Sequence, residues 1–527
     1  MTKLKHIELF AGCGGMSLGL KTAGFGLYFA NEISPMASET FAYNFFKEDL
    51  NEIAEKKQKP HKTLWIDSDY DNDRLNLRLK ENPFIGKKLY SDLSEATDLE
   101  NKLLVGNIDK LLSYMIKNRK YKKYRDLNID LISGGPPCQS FSLAGKREKN
   151  NEKNLLPLSF AKFAGLVQPK VVLLENVKGI TIPFVENNEK YHAWLEVAKA
   201  FSLEGFVPLC MMVNSKYFGI PQSRPRFILL AYRKDIFEKL LREVDDSVKR
   251  EILMLSQTFF NKVHALKDTI DLVTINDLKY YDIESQPELF DGIIFPEKKT
   301  DLGSFISVED AIGNLIKNRV NDNNQYEISL NKIFGSKQSN SIDNFELRSH
   351  NSITRARFRL YQVLENCSFE IKKNVINLMS NKDIAITEDS ILNALKQYKF
   401  IIPSLESKDE IERNIKDFND FKNLLSLIKT KKRSQKALNG KLPAPAQLTI
   451  PDDVCHYDFS SPRVLTVREM ARIQSFPDWF VFKAKTTTGG ELRKYEVPQY
   501  TQVGNAVPPL LAFSLGNLIK KQLCDIY

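Results

Sequence analysis

From the amino terminus to about residue 233, short apolar runs alternate with stretches of helical periodicity. Ile7–Phe10, Leu27–Asn31, Ile129–Ser133, Val171–Val177, Phe206–Val213 and Phe227–Ala231 read as strands. Alternation of this kind predicts an α/β fold, a parallel sheet with covering helices. Between Leu50 and Leu89 the pattern turns polar, with Lys56-Lys57-Gln58-Lys59, and reads as an insertion over the sheet edge. From 234 to 460 the chain is rich in Asn, Lys, Ser and Asp, with helical periodicity over Ile236–Gln257 and amphipathic pieces at Phe358–Leu364 and Ile411–Ile428. Order returns with a helix over Leu465–Gln474 and an apolar helix over Pro508–Lys520, which has Pro in its first turn. The expected division is a catalytic sheet (1–233), an inserted variable domain (234–460) and a returning carboxyl-terminal segment (461–527).

Composition narrows the class. The 527 residues are 42% hydrophobic, enough for a large core in two or three domains. No run approaches the roughly 18 apolar residues of a membrane helix, so no membrane partner is expected. Ile7-Glu8-Leu9-Phe10 reads as a core strand and not as part of a signal peptide. The six cysteines are scattered and form no Cys-x-x-Cys pair, which argues against a disulfide framework and a metal site and for a reducing cytosol. A net charge of +10 favours a polyanionic partner such as nucleic acid. The basic run Lys429-Thr430-Lys431-Lys432-Arg433 suits either a solvated face or a phosphate contact.

Three stretches carry candidate chemistry. Gly134-Gly135-Pro136-Pro137-Cys138-Gln139-Ser140-Phe141-Ser142 follows an apolar strand and stops regular structure, setting one thiol at a strand's carboxyl end. A free Cys is more often a small core residue, but this backbone suits a rigid exposed turn. Phe10-Ala11-Gly12-Cys13-Gly14-Gly15 joins the first strand to a helix, and Asn31-Glu32 ends the next strand about 20 residues on, the spacing of a nucleoside half-site. Glu32 could accept from ribose hydroxyls, and Asp92 from an adenine amine or else from a loop backbone. No P-loop Lys-Ser/Thr follows, which argues against a triphosphate. Glu175, in Leu173-Leu174-Glu175-Asn176-Val177, leaves a very apolar strand, where it is either half of an ion pair or an acid raised by burial to donate to a ring nitrogen. Gln222-Ser223-Arg224-Pro225-Arg226 places two arginines at the same sheet edge, suited to a carbonyl, a phosphate or an internal carboxylate.

In this order the stretches resemble the motifs of the C5-cytosine DNA methyltransferase family. Phe10–Gly15 looks like its cofactor loop, Asn31-Glu32 its ribose-binding acid, Gly134–Ser142 its Pro-Cys loop, Glu175-Asn176-Val177 the acidic partner and Gln222–Arg226 the Gln-x-Arg-x-Arg element. Arg463–Phe480 resembles the helix supporting a target-recognition domain, and Gln502-Val503-Gly504-Asn505-Ala506-Val507-Pro508-Pro509 the terminal motif. The resemblance covers about 1–233 and 461–520, roughly half the chain.

The resemblance implies a Rossmann-like S-adenosylmethionine-dependent methyltransferase sheet with an inserted, mixed target-recognition domain. It implies S-adenosylmethionine as methyl donor and double-stranded DNA as substrate. Cys138 would attack C6 of a flipped cytosine, Glu175 would hydrogen-bond N3 and the exocyclic amine, and Arg226 would hold O2 with Arg224 close by. The implied cofactor set is Phe10, Ala11, Gly12, Gly14, Glu32, Asp92, Pro136 and Asn505, and the implied DNA set is Gln139, Ser140 and Thr449. A monomer in the cytoplasm, accompanied by an independently acting restriction endonuclease, is the expected setting.

The chain departs from the family pattern in three places: Glu8 stands where the family commonly has Asp, the stretch from Glu32 to Asp92 is long, and Glu148–Lys153 lacks the family's acidic-Arg-Gly tract. Arg348-Ser349-His350 and Arg355-Ala356-Arg357 could reach phosphates or guanine edges, or be solvated charges. An RNA cytosine methyltransferase, a silent DNA-binding relative and a small-molecule methyltransferase are the alternatives. The large insert disfavours the first, the presence of Cys138 and Glu175 the second, and the basic charge with the insert the third.

Overall fold

The structure, a computed structural model, describes residues 4–137, 155–186, 189–301, 303–316, 324–337, 342–403, 410–430, 432, 435–446, 449 and 451–525. Its centre is a nine-stranded sheet built from Leu4–Leu9 (β1), Phe25–Glu32 (β2), Thr63–Trp65 (β3), Lys102–Val105 (β4), Leu131–Gly134 (β5), Val171–Val177 (β6), Phe206–Asn214 (β7), Pro225–Arg233 (β8) and Tyr280–Asp282 (β9). The spatial order is β9-β7-β8-β6-β5-β1-β2-β4-β3. All neighbours are parallel except β8, which runs antiparallel to both β6 and β7. The amino-terminal end of β8 therefore lies beside the carboxyl-terminal end of β6, opposite Val177.

Both faces of the sheet are covered, which is why its strands are near-continuous apolar runs. One face packs on the helices Gly15–Ala23 (α1) and Pro509–Asp525, through Leu18, Leu173, Ile228, Leu511 and Leu515. The other packs on Leu156–Val167 (α2) and Ala193–Leu203 (α3), through Val172, Leu174, Phe160, Phe163 and Phe201.

All six expected strands are present. Three further ones escaped the sequence pattern. β4 has four residues and begins with Lys102, so it carries almost no periodic signal, yet its last three residues are buried between β2 and β3. β3 lies in the stretch expected to lie over the sheet edge, and it becomes that edge. β9 comes from the insert and closes the opposite edge against Cys210–Met212 of β7.

The boundary expected at 233/234 does not coincide with a break in packing. Ile236, Phe237, Leu253, Phe290, Phe295, Val308 and Leu330 belong to the same core as α1. A separate core forms from Ala356 to Val464, around the helices Ser352–Glu365 (α4) and Phe418–Leu427 (α5). Within it the amphipathic piece Ile411–Ile428 holds two elements: Glu410–Arg413 pairs antiparallel with Phe400–Pro403, and α5 starts only after Asp417, which caps it.

The two cores are joined through Val467–Ile473 (α6), which opens with a capping box between Thr466 and Glu469. Glu469 takes a bidentate ion pair from Arg463 at 2.8 Å. Arg468 donates to the carbonyls of Asp343, Pro477 and Phe480, and Arg472 to the Ala311 carbonyl and Asn314. These buried arginines tie the insert to the carboxyl-terminal segment, which then continues through Gln499–Asn505 (α7) into Pro509–Asp525 (α8).

Candidate active site

The first half of the site lies where β1 and β2 end. Phe10 holds φ +54°, a left-handed conformation that turns the chain sharply out of β1. Its ring packs on Phe160 at 6.2 Å between centroids. Ala11 N–H donates to the Asn31 carbonyl, fastening the loop to β2. Gly12 follows at φ +55° with open space where a Cβ would stand. Gly14, at φ +97°, caps α1, and a Cβ there would strike the Phe45 ring.

Glu32 is the loop's anchor. Its Oε2 accepts from Gly12 N–H and its Oε1 from Ser34 N–H, each at 2.8 Å. Burial raises its pKa, and the two amide donors act against that rise. Beneath the loop, Glu8 is buried and accepts from the Ser17 hydroxyl. Burial pushes its carboxyl up to about 8.

Asp92 is not brought to this place. Its Oδ2 accepts from Arg78 Nη1 at 2.7 Å and from Trp65 N–H at 2.9 Å, in a buried ion pair on the outer strand β3. β4 separates that strand from β2. The groups at the carboxyl end of β4 are instead Gly106, at φ +145°, and Asn107, which caps the helix Ile108–Lys117. Asp67 lies against Gly106, where it would meet a Cβ. The sequence signal for this place was the Gly-Asn pair after Leu103-Leu104-Val105, concealed by the weakness of β4 as a strand.

The second half of the site lies one strand over. Cys138, Gln139 and Ser140 fall outside the described residues, so the structure shows the base of their loop. A Cβ on Gly135 would stand 3.2 Å from Glu175 Oε2, so the loop's glycine lies directly on the carboxylate. Asn176 Nδ2 donates to the Pro136 carbonyl at 3.1 Å, fixing the loop as it leaves β5. Glu175 Oε1 meets Arg226 Nε at 2.8 Å, with both side chains 10% exposed. Residues two apart on a strand share a face, so Glu175 lies on the α1 side with Leu173, and Arg226 with Ile228.

Arg224 departs from its expected role beside the base. Its Nη2 turns away to the carbonyls of Gly504 at 2.9 Å and Ala506 at 3.2 Å, at the carboxyl end of α7. Asn505, between those two carbonyls, is exposed. The same segment closes on the first loop, where a Cβ at Gly15 would collide with the Val507 carbonyl. Gln502 binds Thr40, Met36, Lys483 and Val497, a fastening role that no strand or helix pattern announces.

In the insert, the Thr449 carbonyl accepts from Thr501 of α7 at 3.3 Å, which places Thr449 beside the terminal motif. Ala444-Pro445 pairs in parallel with Gln222-Ser223, so the insert touches the strand leading to Arg224 and Arg226. Arg348 is paired with Asp452, Arg355 with Glu410, and Arg357 with the Ile428 carbonyl. Their first partners are thus within the insert. Lys432 likewise pairs with Asp452.

Residues 4–71 and 103–521 match the family described as C-5 cytosine-specific DNA methylase. The chain belongs to that family. The methylase is 26% identical to type II methyltransferase M1.HphI of Haemophilus parahaemolyticus, over 98% of its own chain and 87% of the relative. It is 23% identical to type II methyltransferase M.DdeI of Desulfomicrobium norvegicum, over 97% of its own chain and 88% of the relative. It is 24% identical to type II methyltransferase M.XorII of Xanthomonas oryzae pv. oryzae, over 99% and 86%. The stretch 72–102, which holds Asp92, falls outside the family match, in keeping with its place on the outer edge.

S-adenosylmethionine is the methyl donor of this methylase, and the first half of the site suits it. Gly12 leaves a space that a Cβ would fill, Glu32 closes it at the end of β2, and Asn505 stands exposed at the end of α7.

Proposed function

We propose that this methylase transfers a methyl group to C5 of a cytosine flipped out of a short double-stranded DNA sequence, with Cys138 as nucleophile. The observation that carries the reading is the Glu175–Arg226 pair lying under Gly135 of the Pro-Cys loop, at the same sheet edge as the Gly12–Glu32 cradle.

Cytosine C5 is a poor nucleophile, and a thiolate adding at C6 makes it an enamine carbon able to attack an electrophilic methyl. S-adenosylmethionine supplies that methyl. Glu175 holds N3 and the exocyclic amine, stabilising charge as the ring accepts the sulfur, and Arg226 holds both O2 and Glu175. Asn176 and Gly135 fasten the start of the loop that carries Cys138, which in this reading attacks the ring. Loss of the C5 proton then lets the sulfur leave as a thiolate. A base stacked in duplex DNA cannot present C6 to a thiol, so the target is extruded.

Phe10, Ala11, Gly12, Gly14, Glu32, Pro136 and Asn505 form the cofactor's surroundings in this reading, while Gln139, Ser140 and Thr449 face DNA. The type II names of the relatives support a restriction–modification setting with a separate endonuclease. We read the protein as a cytoplasmic monomer; no helix among the described residues is long and apolar enough to cross a membrane.

The test is expression in an unmethylated host with genome-wide mapping of 5-methylcytosine, followed by incubation with S-adenosylmethionine and a duplex carrying 5-fluorocytosine at the mapped position. A covalent complex forms with wild type and not with Cys138→Ser. Absence of an adduct on a confirmed target refutes addition at C6.

A further inference from the structure

We infer that Arg224 is a positioning residue that couples the cofactor pocket to the target-base pocket, so that filling one strengthens binding at the other. The inference rests on the proposed assignment of those two pockets.

Its backbone is pinned at the end of β7: Arg224 N–H donates to Asn214 Oδ1 at 2.8 Å, and its carbonyl accepts from Ser215 N–H at 3.1 Å. Its side chain, 2% exposed, crosses to the other end of the chain and binds two carbonyls at the end of α7. A helix leaves its last carbonyls without intrahelical partners and its carboxyl end partly negative, so a guanidinium there is a cap supplied from a residue far away in the chain.

Continuity on the other side is equally direct. Pro225 fixes its own φ, making Arg224-Pro225-Arg226 a stiff link, and Arg226 Nη1 binds the Pro225 carbonyl at 2.8 Å while its Nε holds Glu175. The connected series therefore runs from Glu175 through Arg226, Pro225 and Arg224 to the carbonyls on either side of Asn505. From there the terminal motif reaches the cofactor loop, through Val507 against Gly15 and the Gln502 carbonyl near Cys13 Sγ.

Stability alone gives little reason for this arrangement. Arg224 Nε is buried without a hydrogen-bond partner, and burial, then the nearby Arg226, work against its charge, with Glu175 opposing them only in part. A buried cation left partly unsatisfied is costly compared with a packed apolar side chain. Methyl transfer, by contrast, needs the two pockets in register, since misplacement by about 1 Å can lower a rate roughly 100-fold. Binding coupling is reciprocal, so it can be read from either side.

The experiment uses the full-length protein, S-adenosylhomocysteine, and a duplex with 2-aminopurine at the mapped target position, whose fluorescence reports extrusion. Three affinities are measured: S-adenosylhomocysteine alone, duplex alone, and duplex with saturating S-adenosylhomocysteine. Wild type is expected to bind the duplex at least about fivefold more tightly in the ternary complex, the lower end of typical coupling. Arg224→Met is expected to bring that ratio close to one while S-adenosylhomocysteine alone binds within roughly threefold of wild type. Arg224→Lys, which keeps the charge and loses the planar fork, is expected to fall between and serves if the methionine variant does not fold.

A full ratio in either variant overturns the inference, as does a wild-type ratio of one. Loss of S-adenosylhomocysteine binding equal to the loss of coupling also overturns it, making Arg224 a wall of one pocket. Failure of wild type to bind either ligand alone would instead refute the pocket assignments.

Discussion

Glu175 and Arg226 meet at 2.8 Å because β8 runs against its neighbours. Were β8 parallel to β6, its first residues would lie at the opposite edge of the sheet, and Arg226 would be a strand length away from the carboxylate. One antiparallel strand thus gathers an acid, an arginine and the Pro-Cys loop at one point.

Glu175→Gln keeps the shape beside Gly135 and removes the carboxylate. Methyl transfer in a single turnover is expected to fall roughly 10²–10⁴-fold, the usual worth of a positioned acid–base group. S-adenosylhomocysteine affinity, measured calorimetrically, should change by less than about 1 kcal/mol. A variant with normal chemistry and weak cofactor binding would remove Glu175 from the base pocket.

Asp92→Ala separates the structural reading of that residue from the sequence expectation. It leaves the buried Arg78 without its carboxylate, and unfolding in urea should show a loss of about 3–5 kcal/mol. Where the protein is folded, cofactor affinity should be that of wild type. A large rise in the dissociation constant for S-adenosylhomocysteine with intact stability would return Asp92 to the adenine site.

Gly19→Ala tests how the carboxyl terminus completes the site. A Cβ there would collide with the Pro509 carbonyl and come within 2.6 Å of Ala512 Cβ and Phe513 N. Because backbone is struck, destabilisation of about 1–3 kcal/mol is expected, with weaker cofactor binding as α8 shifts from α1. Unchanged melting and unchanged affinity would show that the close approach of α1 and α8 is dispensable.

Glu8 predicts a pH dependence of stability. Burial holds its carboxyl up to about 8 in the folded protein, whereas an unfolded Glu titrates near its usual value of about 4.3. Between those values the unfolded chain has released a proton that the folded one keeps, so stability falls as pH rises through this window. Glu8→Gln removes this contribution. Urea titrations from about pH 5 to about pH 8 should show the variant gaining on wild type by up to about 1.4 kcal/mol per pH unit. Parallel stabilities across that range would mean that Glu8 is ionised where it lies.

The sequence by itself determined the sheet's long strands and the order of the site's loops. Leu173-Leu174-Glu175 announces a buried strand that ends in an acid, and glycines and prolines mark Gly12 and Pro136 as turns, because these properties depend on neighbours along the chain. Tertiary structure alone decided the rest. Lys102–Val105 is a strand because β2 and β3 flank it, and Asp92 is a structural anion because Arg78 is buried beside it. Arg224 and Arg226 look equivalent in Gln222–Arg226, yet one faces Glu175 and the other caps α7. That difference rests on hydrogen bonds to residues far away in the chain, and a pattern of local propensity holds no record of them.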